Sequence, residues 1–299
     1  MRTRMLNKIR NELYVFAAII ASLSLLPNMA HAEKMTLTVG TYVEHKHSIE
    51  AILQNGQCPD VDTLEFHAND EIVVEFLILC QALRLGGIEP MWDIRPFPLS
   101  ARILVEIKQG NILMATYPIW SRHKDNRYTF HSQAIVPAKQ YTKGLYTAEL
   151  NTGVLAIKDL PTLQQHTAIS NKTWTVDWDL IQCLQLKAQS VLNYEKMYQM
   201  VASNRGDYIL LPFSKREDLR REQYAIRLTP IPNLKVVFND SSHFMLSKKR
   251  PEAGKVYQAI EKGLTKMRAD GTIIKAYRQI GQFNPLVEDW QALRCGADV

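Results

Sequence analysis

The residue types that most often carry catalysis are dispersed along this chain. Its eight histidines are scattered, and no Ser-His-Asp, HExxH or glycine-rich phosphate-binding pattern is present. Four cysteines, Cys58, Cys80, Cys183 and Cys295, lack the CxxC spacing of zinc sites. We therefore expect neither a metal nor a cofactor, and we expect a binding function instead of an enzyme.

Positive charge is concentrated in one loop, which holds Arg122, Lys124 and Arg127. A guanidinium can hold a carboxylate through two parallel hydrogen bonds, whereas an ammonium acts as a point charge. We expect Arg122 or Lys124 to face a ligand, with Arg122 preferred because only it offers a planar fork. The alternative is a solvated basic loop, which is common for runs of charge.

Alternating strands and helices must position this loop. In the first third, the hydrophobic pattern predicts strands at 35–42, 88–94 and 112–118 and helices at 71–86 and 100–109. This alternation is typical of right-handed crossovers and a largely parallel sheet. Ligands of such sheets lie beyond the carboxyl ends of the strands, which here are at Tyr42, Thr116 and Tyr117.

The rest of the chain continues the alternation, while residues 44–68 give no clear pattern. Predicted strands are 167–170, 207–211 and 242–247, and predicted helices are 176–186, 194–203, 251–270 and 272–280. The tripeptide Arg205-Gly206-Asp207 falls between a helix and a strand. We interpret it as a corner, in which Asp207 satisfies backbone donors, and not as an adhesion motif.

The N-terminus has the three parts of a secretory signal peptide. A basic leader is followed by an apolar run from Leu13 to Leu26 and by the cleavage site Ala30-His31-Ala32. Removal of residues 1–32 takes away four basic residues and one acidic residue, so the formal charge falls from +6 to +3. We expect a periplasmic protein in which the cysteines can pair, and no nucleic-acid partner.

Five stretches follow one another in a characteristic order. They are TLTVGTY at 36–42, the lead-in 109–116, the polar loop 171–177, the corner 204–207 and the ending KVYQAIEKGLTKMRADGTIIKAYRQIG. Together they resemble type II periplasmic solute-binding proteins, above all the polar amino-acid-binding group known as extracellular solute-binding protein family 3, whose C-terminal helices the ending resembles.

This resemblance implies a two-lobed α/β fold in which each lobe is a mainly parallel sheet flanked by helices. The first lobe would contain residues 33–141 and 243–299, and the second would contain residues 142–242. A small-molecule solute would bind between the lobes of a monomer, with hinge closure trapping it. An ABC permease or a membrane sensor is the expected partner.

The family's site has two charged anchors, an Arg in the first lobe and an acidic residue in the second. Arg122 or Lys124 matches the first anchor, but the acidic position, counted from Asp207, holds Pro212. A plain α-amino acid is therefore not expected. Aromatic and hydroxyl side chains would complete the site, and these are Tyr42, Thr116, Tyr117, Trp120, Thr173, Trp174 and Thr175.

Two other functions remain open on the same fold. Some relatives in this fold are cyclohexadienyl dehydratases, for which Glu44 and Asp177 are the nearest proton-transfer candidates, although neither has a partner His at motif spacing. The ambiguous cation and the missing acidic anchor also fit a protein that has lost its ligand and serves as an interaction or signalling module.

Overall fold

The computed structural model describes residues 32–53, 55–63, 65–66 and 71–296. The predicted signal peptide, residues 1–32, lies outside these residues apart from its last position. The fold concerns the compact unit that begins at Lys34. Within the described residues, no helix is both long and apolar enough to cross a membrane.

Strands and helices alternate along the described chain. The strands are β1 (Glu33–Tyr42), β2 (Ile88–Phe97), β3 (Met114–Ala115), β4 (Ile119–Trp120), β5 (Thr129–His131), β6 (Thr142–Ala148), β7 (Thr167–Ser170), β8 (Lys187–Ser190), β9 (Tyr208–Leu211), β10 (Arg221–Gln223), β11 (Ile226–Val237), β12 (Ser242–His243), β13 (Met245–Ser247) and β14 (Gln291–Leu293). The helices are α1 (Val43–Ile52), α2 (Glu71–Gly86), α3 (Ser100–Gln109), α4 (Thr152–Leu155), α5 (Leu160–Leu163), α6 (Thr175–Cys183), α7 (Tyr194–Ala202), α8 (Ala253–Ala269) and α9 (Thr272–Gln279). Short 3₁₀ turns occur at Val61–Thr63, Ser121–His123 and Pro285–Val287.

The first sheet has the strand order β2-β1-β3-β13-β5. Strands β1 and β3 are parallel, with Gly40 opposite Ala115, whereas β13 runs antiparallel to both β3 and β5. Helices α2 and α8 cover one face, and they approach so closely that a side chain at Gly263 would meet the carbonyl of Ala82 at 1.9 Å. Of the predicted strand 112–118, only Met114–Ala115 forms a strand, β3, and the separate strand β4 that follows it pairs with β12.

The second sheet follows the order β10-β11-β6-β9-β7-β8. The strands at one end of this sheet are parallel, since β7 pairs in parallel with both β8 and β9. The long strands β6 and β11 pair antiparallel with each other, and β6 also pairs antiparallel with β9. The predicted α/β fold class with two flanked sheets is confirmed. Each sheet is mixed, because β13 in the first sheet and β6 in the second pair antiparallel with their neighbours.

The C-terminal segment joins the second sheet. Strand β14 pairs in parallel with β11, with Leu234 opposite Gln291, and the disulfide Cys183–Cys295 fixes this segment to α6. The lobe boundaries predicted from the sequence place residues 243–299 with the first lobe, whereas this strand lies in the second sheet. A second disulfide, Cys58–Cys80, ties the segment before α2 to that helix.

The Arg205-Gly206-Asp207 corner has the structural role expected of it. Asp207 accepts a hydrogen bond at Oδ2 from the backbone amide of Thr167 at 2.7 Å. The left-handed residue is Asn204, with φ of 55°, and Gly206 is required for packing, because a Cβ there would lie 2.3 Å from the side chain of Ile169. The corner is thus a packed connection between α7 and β9.

Candidate functional site

Arg122 connects three parts of the molecule. Its Nε donates to Oδ2 of Asp240 at 2.9 Å, and its Nη1 makes a very short contact with Asp179 of α6. The same nitrogen lies 3.5 Å from the backbone carbonyl of Thr175. The cation preferred from the sequence as a carboxylate anchor is therefore bonded to carboxylates of the protein itself.

Asp240 is the fixed member of this group, since its side chain is 7% exposed. Its Oδ1 accepts from the amide of Ser241 at 2.8 Å and also from the hydroxyl of Ser121. Burial by itself would raise the pKa of Asp240, but the bonds from Ser121 and Arg122 hold that pKa below its ordinary value. Asp240 is thus an ionised carboxylate that holds the 3₁₀ turn of Arg122 in place.

The other two cations of the loop lie outside this group. Lys124 is exposed. The pKa of His131 is lowered to about 4, first by desolvation of the imidazole and second by the positive charge of Lys124. Arg127 is 79% exposed on its side chain and pairs with Asp125 at 3.2 Å. The solvated-loop alternative fits Arg127, whereas Lys124 lies next to a histidine of the first sheet.

Of the predicted residues at the ends of β1 and β3, Tyr42 is half-buried, and Thr116 and Tyr117 are buried. Tyr42 and Tyr117 stack with ring centroids 5.1 Å apart and planes within 7°, and both pack against the apolar cluster below α3. Thr116 is fully buried, and its hydroxyl has no hydrogen-bond partner in the described chain. In this conformation the strand ends form a packed aromatic edge.

Trp120 packs against residues that enter and leave the second sheet. Its ring centroid lies 5.2 Å from that of Tyr141 and 6.2 Å from that of Phe238. Tyr141 precedes β6 and Phe238 follows β11, so this cluster lies where the chain passes between the two sheets. The ring of Trp120 is therefore used in packing against these two aromatic side chains.

The polar loop before α6 brings Thr173, Trp174 and Thr175 to one helix start. Both the amide and the hydroxyl of Thr173 lie 2.9 Å from Oδ1 of Asn171, so this threonine is used locally. Trp174 packs edge-on against Tyr194 with centroids 5.7 Å apart. The hydroxyl of Thr175 lies 3.4 Å from His123 of the first-sheet loop, which brings this helix start opposite Arg122.

A cluster of buried polar side chains lies between the two sheets. No sequence motif marks this cluster, and it was not predicted as a binding site. Glu71, at the start of α2, accepts from the hydroxyl of Tyr141 at 2.6 Å. Nζ of Lys143 lies 2.6 Å from Asp177, with side-chain exposures of 12% and 11%. Desolvation raises the pKa of Glu71, although Tyr141 and the charges of Lys143 and Arg221 oppose that shift. Asp177, a proton-transfer candidate from the sequence, is thus an ion-pair partner.

The described chain shows neither a metal site nor a predicted site residue in the depression beside β14. Among the described residues, no three His, Cys, Asp or Glu side chains are grouped to hold a metal ion. An open depression of about 590 Å³ lies beside Cys183 and β14 and contains none of the predicted site residues.

Comparison with solved structures identifies the fold. The probable amino-acid ABC transporter extracellular-binding protein ytmK from Bacillus subtilis aligns with a TM-score of 0.55 at 14% identity, covering 83% of this chain and 99% of that chain. The chain has the type II periplasmic-binding-protein fold. The periplasmic VFT2 domain of Bordetella pertussis BvgS aligns with a TM-score of 0.52 at 12% identity, covering 80% and 92% of the two chains.

A third structure, substrate-binding domain 2 of Lactococcus lactis GlnP in an open conformation, aligns with a TM-score of 0.50 at 12% identity and covers 83% and 96% of the two chains. No family model matches this chain, and no curated protein matches it. The periplasmic-binding-protein fold is therefore established by shape, while the identities of 12–14% carry no substrate assignment.

Proposed function

We propose that this protein is a periplasmic solute-binding protein that captures a small polar or aromatic solute between two lobes by hinge closure. The observation that carries the proposal is the contact of Arg122, in the first-sheet loop, with Asp179 and Thr175 of α6. This contact brings the carboxyl-end loops of the two sheets face to face, which is the geometry in which this fold encloses ligands.

The proposal assigns no catalysis to the cleft. Of the two proton-transfer candidates, Asp177 is paired with Lys143, and Glu44 is exposed on α1. A general acid or base must reach its substrate within hydrogen-bond distance, and a carboxylate held by a lysine at 2.6 Å is poorly placed to move a proton. The proposed partners are a solute and either an ABC permease or a membrane sensor, with the protein acting as a monomer.

Native mass spectrometry of the protein purified from periplasm tests solute capture. A bound small molecule, released on denaturation, together with a more compact small-angle scattering profile when it is present, is the expected result. Absence of any bound or exchangeable small molecule across a broad metabolite library would contradict the proposal.

A second candidate function is favoured by the bonding of Arg122. Because Asp240 and Asp179 already satisfy this cation, the loops can meet without a ligand. A protein that is closed when empty would signal through its surface, as an interaction module. Scattering profiles that stay equally compact with and without added metabolites, together with co-purification of one membrane protein, would favour this function.

A further inference from the structure

The two disulfides differ in their access to solvent. Cys58 and Cys80 are buried, with exposures of 4% and 0%. Cys183 is exposed at the end of α6, and its partner Cys295 is half-buried. A thiolate opens a disulfide by direct attack on one of its sulfur atoms, so the rate depends on access to that sulfur. Cys183–Cys295 is therefore the bond that is more open to a reductant in the folded protein.

The exposed disulfide lies against the open depression beside β14. Cys183 lines this depression, which has a volume of about 590 Å³. Arg294 and Gly296, the residues on either side of Cys295, line it as well. The depression thus offers an attacking sulfur atom an approach to Cys183 that needs no unfolding of the surrounding chain.

The C-terminal segment has attachments that do not depend on the disulfide. Strand β14 pairs with β11, with Val236 opposite Leu293. Asn239 donates through Nδ2 to the carbonyl oxygen of Cys295 at 2.7 Å. Because these bonds survive reduction, Cys295 stays close to Cys183, and in the oxidised protein their Cα atoms lie 5.8 Å apart. Opening of the bond is therefore local, and the same bond can form again.

Helix α6 joins this disulfide to the contacts between the two sheets. Asp179 makes the very short contact with Nη1 of Arg122, and the carbonyl oxygen of Thr175 lies 3.5 Å from the same nitrogen. Asp179 and Cys183 are four residues apart, so they lie on one face of the helix. Release of Cys183 removes the covalent restraint on the end of α6 and so loosens the helix that meets the Arg122 loop.

We propose that Cys183–Cys295 is a reversible redox switch, opened by a dithiol, that sets how firmly α6 is held. One thiolate of the dithiol attacks Sγ of Cys183 to form a mixed disulfide, and the sulfur of Cys295 leaves as a thiolate. The second thiol of the dithiol then displaces Sγ of Cys183 and closes the dithiol into its own disulfide. Two electrons pass to the protein, and the two protons of the dithiol end on the two cysteine thiols. This inference goes beyond the proposed function, because it requires no solute.

Reduction of the folded, mature protein tests the selectivity of the switch. Dithiothreitol serves as the dithiol, iodoacetamide traps the free thiols, and peptide mass spectrometry locates them. We expect Cys183 and Cys295 to be alkylated at least about tenfold faster than Cys58 and Cys80. Circular dichroism should remain that of the folded protein. Equal rates, faster reduction of Cys58–Cys80, reduction only in denaturant, or unfolding on reduction would overturn the proposal.

Hydrogen–deuterium exchange before and after reduction tests the link to α6. We expect faster exchange in Thr175–Cys183 and unchanged exchange in Glu71–Gly86, which is the internal control. The double variant Cys183→Ser with Cys295→Ser should exchange like the reduced protein, and dithiothreitol should change it no further. Replacing dithiothreitol with oxidised glutathione should restore the slow exchange of the wild type. Unchanged exchange in α6 once the bond is open, or a bond that does not form again, would overturn the proposal.

Discussion

Nε of Arg122 and Oδ2 of Asp240 lie 2.9 Å apart, and the carboxylate is almost fully removed from water. Replacement of Arg122 by Ala leaves this buried charge with only Ser121 and Ser241 as donors. We expect a loss of about 1–3 kcal/mol in the free energy of unfolding, measured by urea denaturation. Arg127→Ala is the control, since its solvent-screened pair with Asp125 should contribute much less to stability. Equal effects of the two substitutions would contradict the prediction.

Asp240 should also make stability depend on pH. Its pKa is lower in the folded protein than in the unfolded chain, so the unfolded state binds a proton first as the pH falls. The stabilisation by Asp240 is then fully present above the ordinary Asp pKa of about 3.9 and is lost as the pH falls through the lower folded value. The difference between wild type and Asp240→Asn, measured by denaturation from pH 7 downwards, should shrink below about pH 4. A constant difference would disprove this assignment.

Replacing one residue of the Lys143–Asp177 pair should lower the free energy of unfolding more than replacing both residues. Lys143→Met leaves a buried carboxylate unpaired and is expected to cost about 3–5 kcal/mol, whereas replacing both residues by apolar ones should recover much of that loss. Chemical denaturation of the two single variants and the double variant gives the coupling energy. Additive losses would show that the two side chains stabilise the fold independently.

The two disulfides should differ in their contribution to stability. Cys58–Cys80 closes a separation of 22 residues and Cys183–Cys295 one of 112. In the chain-entropy model, the longer loop contributes about 1.4 kcal/mol more. Paired Cys→Ser substitutions, each followed by thermal denaturation, check this order. A larger loss for the shorter loop would indicate that native-state packing outweighs chain entropy.

His131 should remain neutral over the whole physiological pH range. Desolvation and the charge of Lys124 lower its pKa to about 4. The unfolded chain takes up a proton at this histidine near pH 6.5, whereas the folded protein does so only near pH 4. The free energy of unfolding therefore falls as the pH is lowered between these two values. An NMR titration should place the midpoint near 4, and Lys124→Gln should raise it. A midpoint near 6.5 would show that His131 is solvated.

Local patterns predicted most of the elements. The helix from Glu71 to Gly86 and the strand 167–170 are found at the predicted positions, because hydrophobic periodicity and end signals agree there. Helix α1 escaped prediction, since VEHKHSIEAI buries only Ile49 and so shows no apolar stripe. Strand β8 (KAQS) escaped too, because its edge position leaves its residues largely exposed.

Side-chain partners were less predictable than elements. Arg122, selected for its planar fork, is bonded to Asp240 and Asp179, which lie 118 and 57 residues away in the chain. Likewise, the pairing of Lys143 with Asp177 depends on how β6 meets α6, which no local spacing encodes. Sequence patterns therefore identified the charged loop but not the groups that neutralise it, and whether the predicted residues bind a solute stays a prediction.

The placement of β14 has a mechanical consequence. Within residues 71–296, the chain passes between the first and second sheets three times: from β5 to β6, from β11 to β13 and from α9 to β14. Two crossings permit bending about one axis and some twist, whereas a third, held by Cys183–Cys295, resists twisting. Any opening between the two sheets should therefore be a rotation of small amplitude about one axis. Reduction of the Cys183–Cys295 disulfide should widen the range of angles between the sheets.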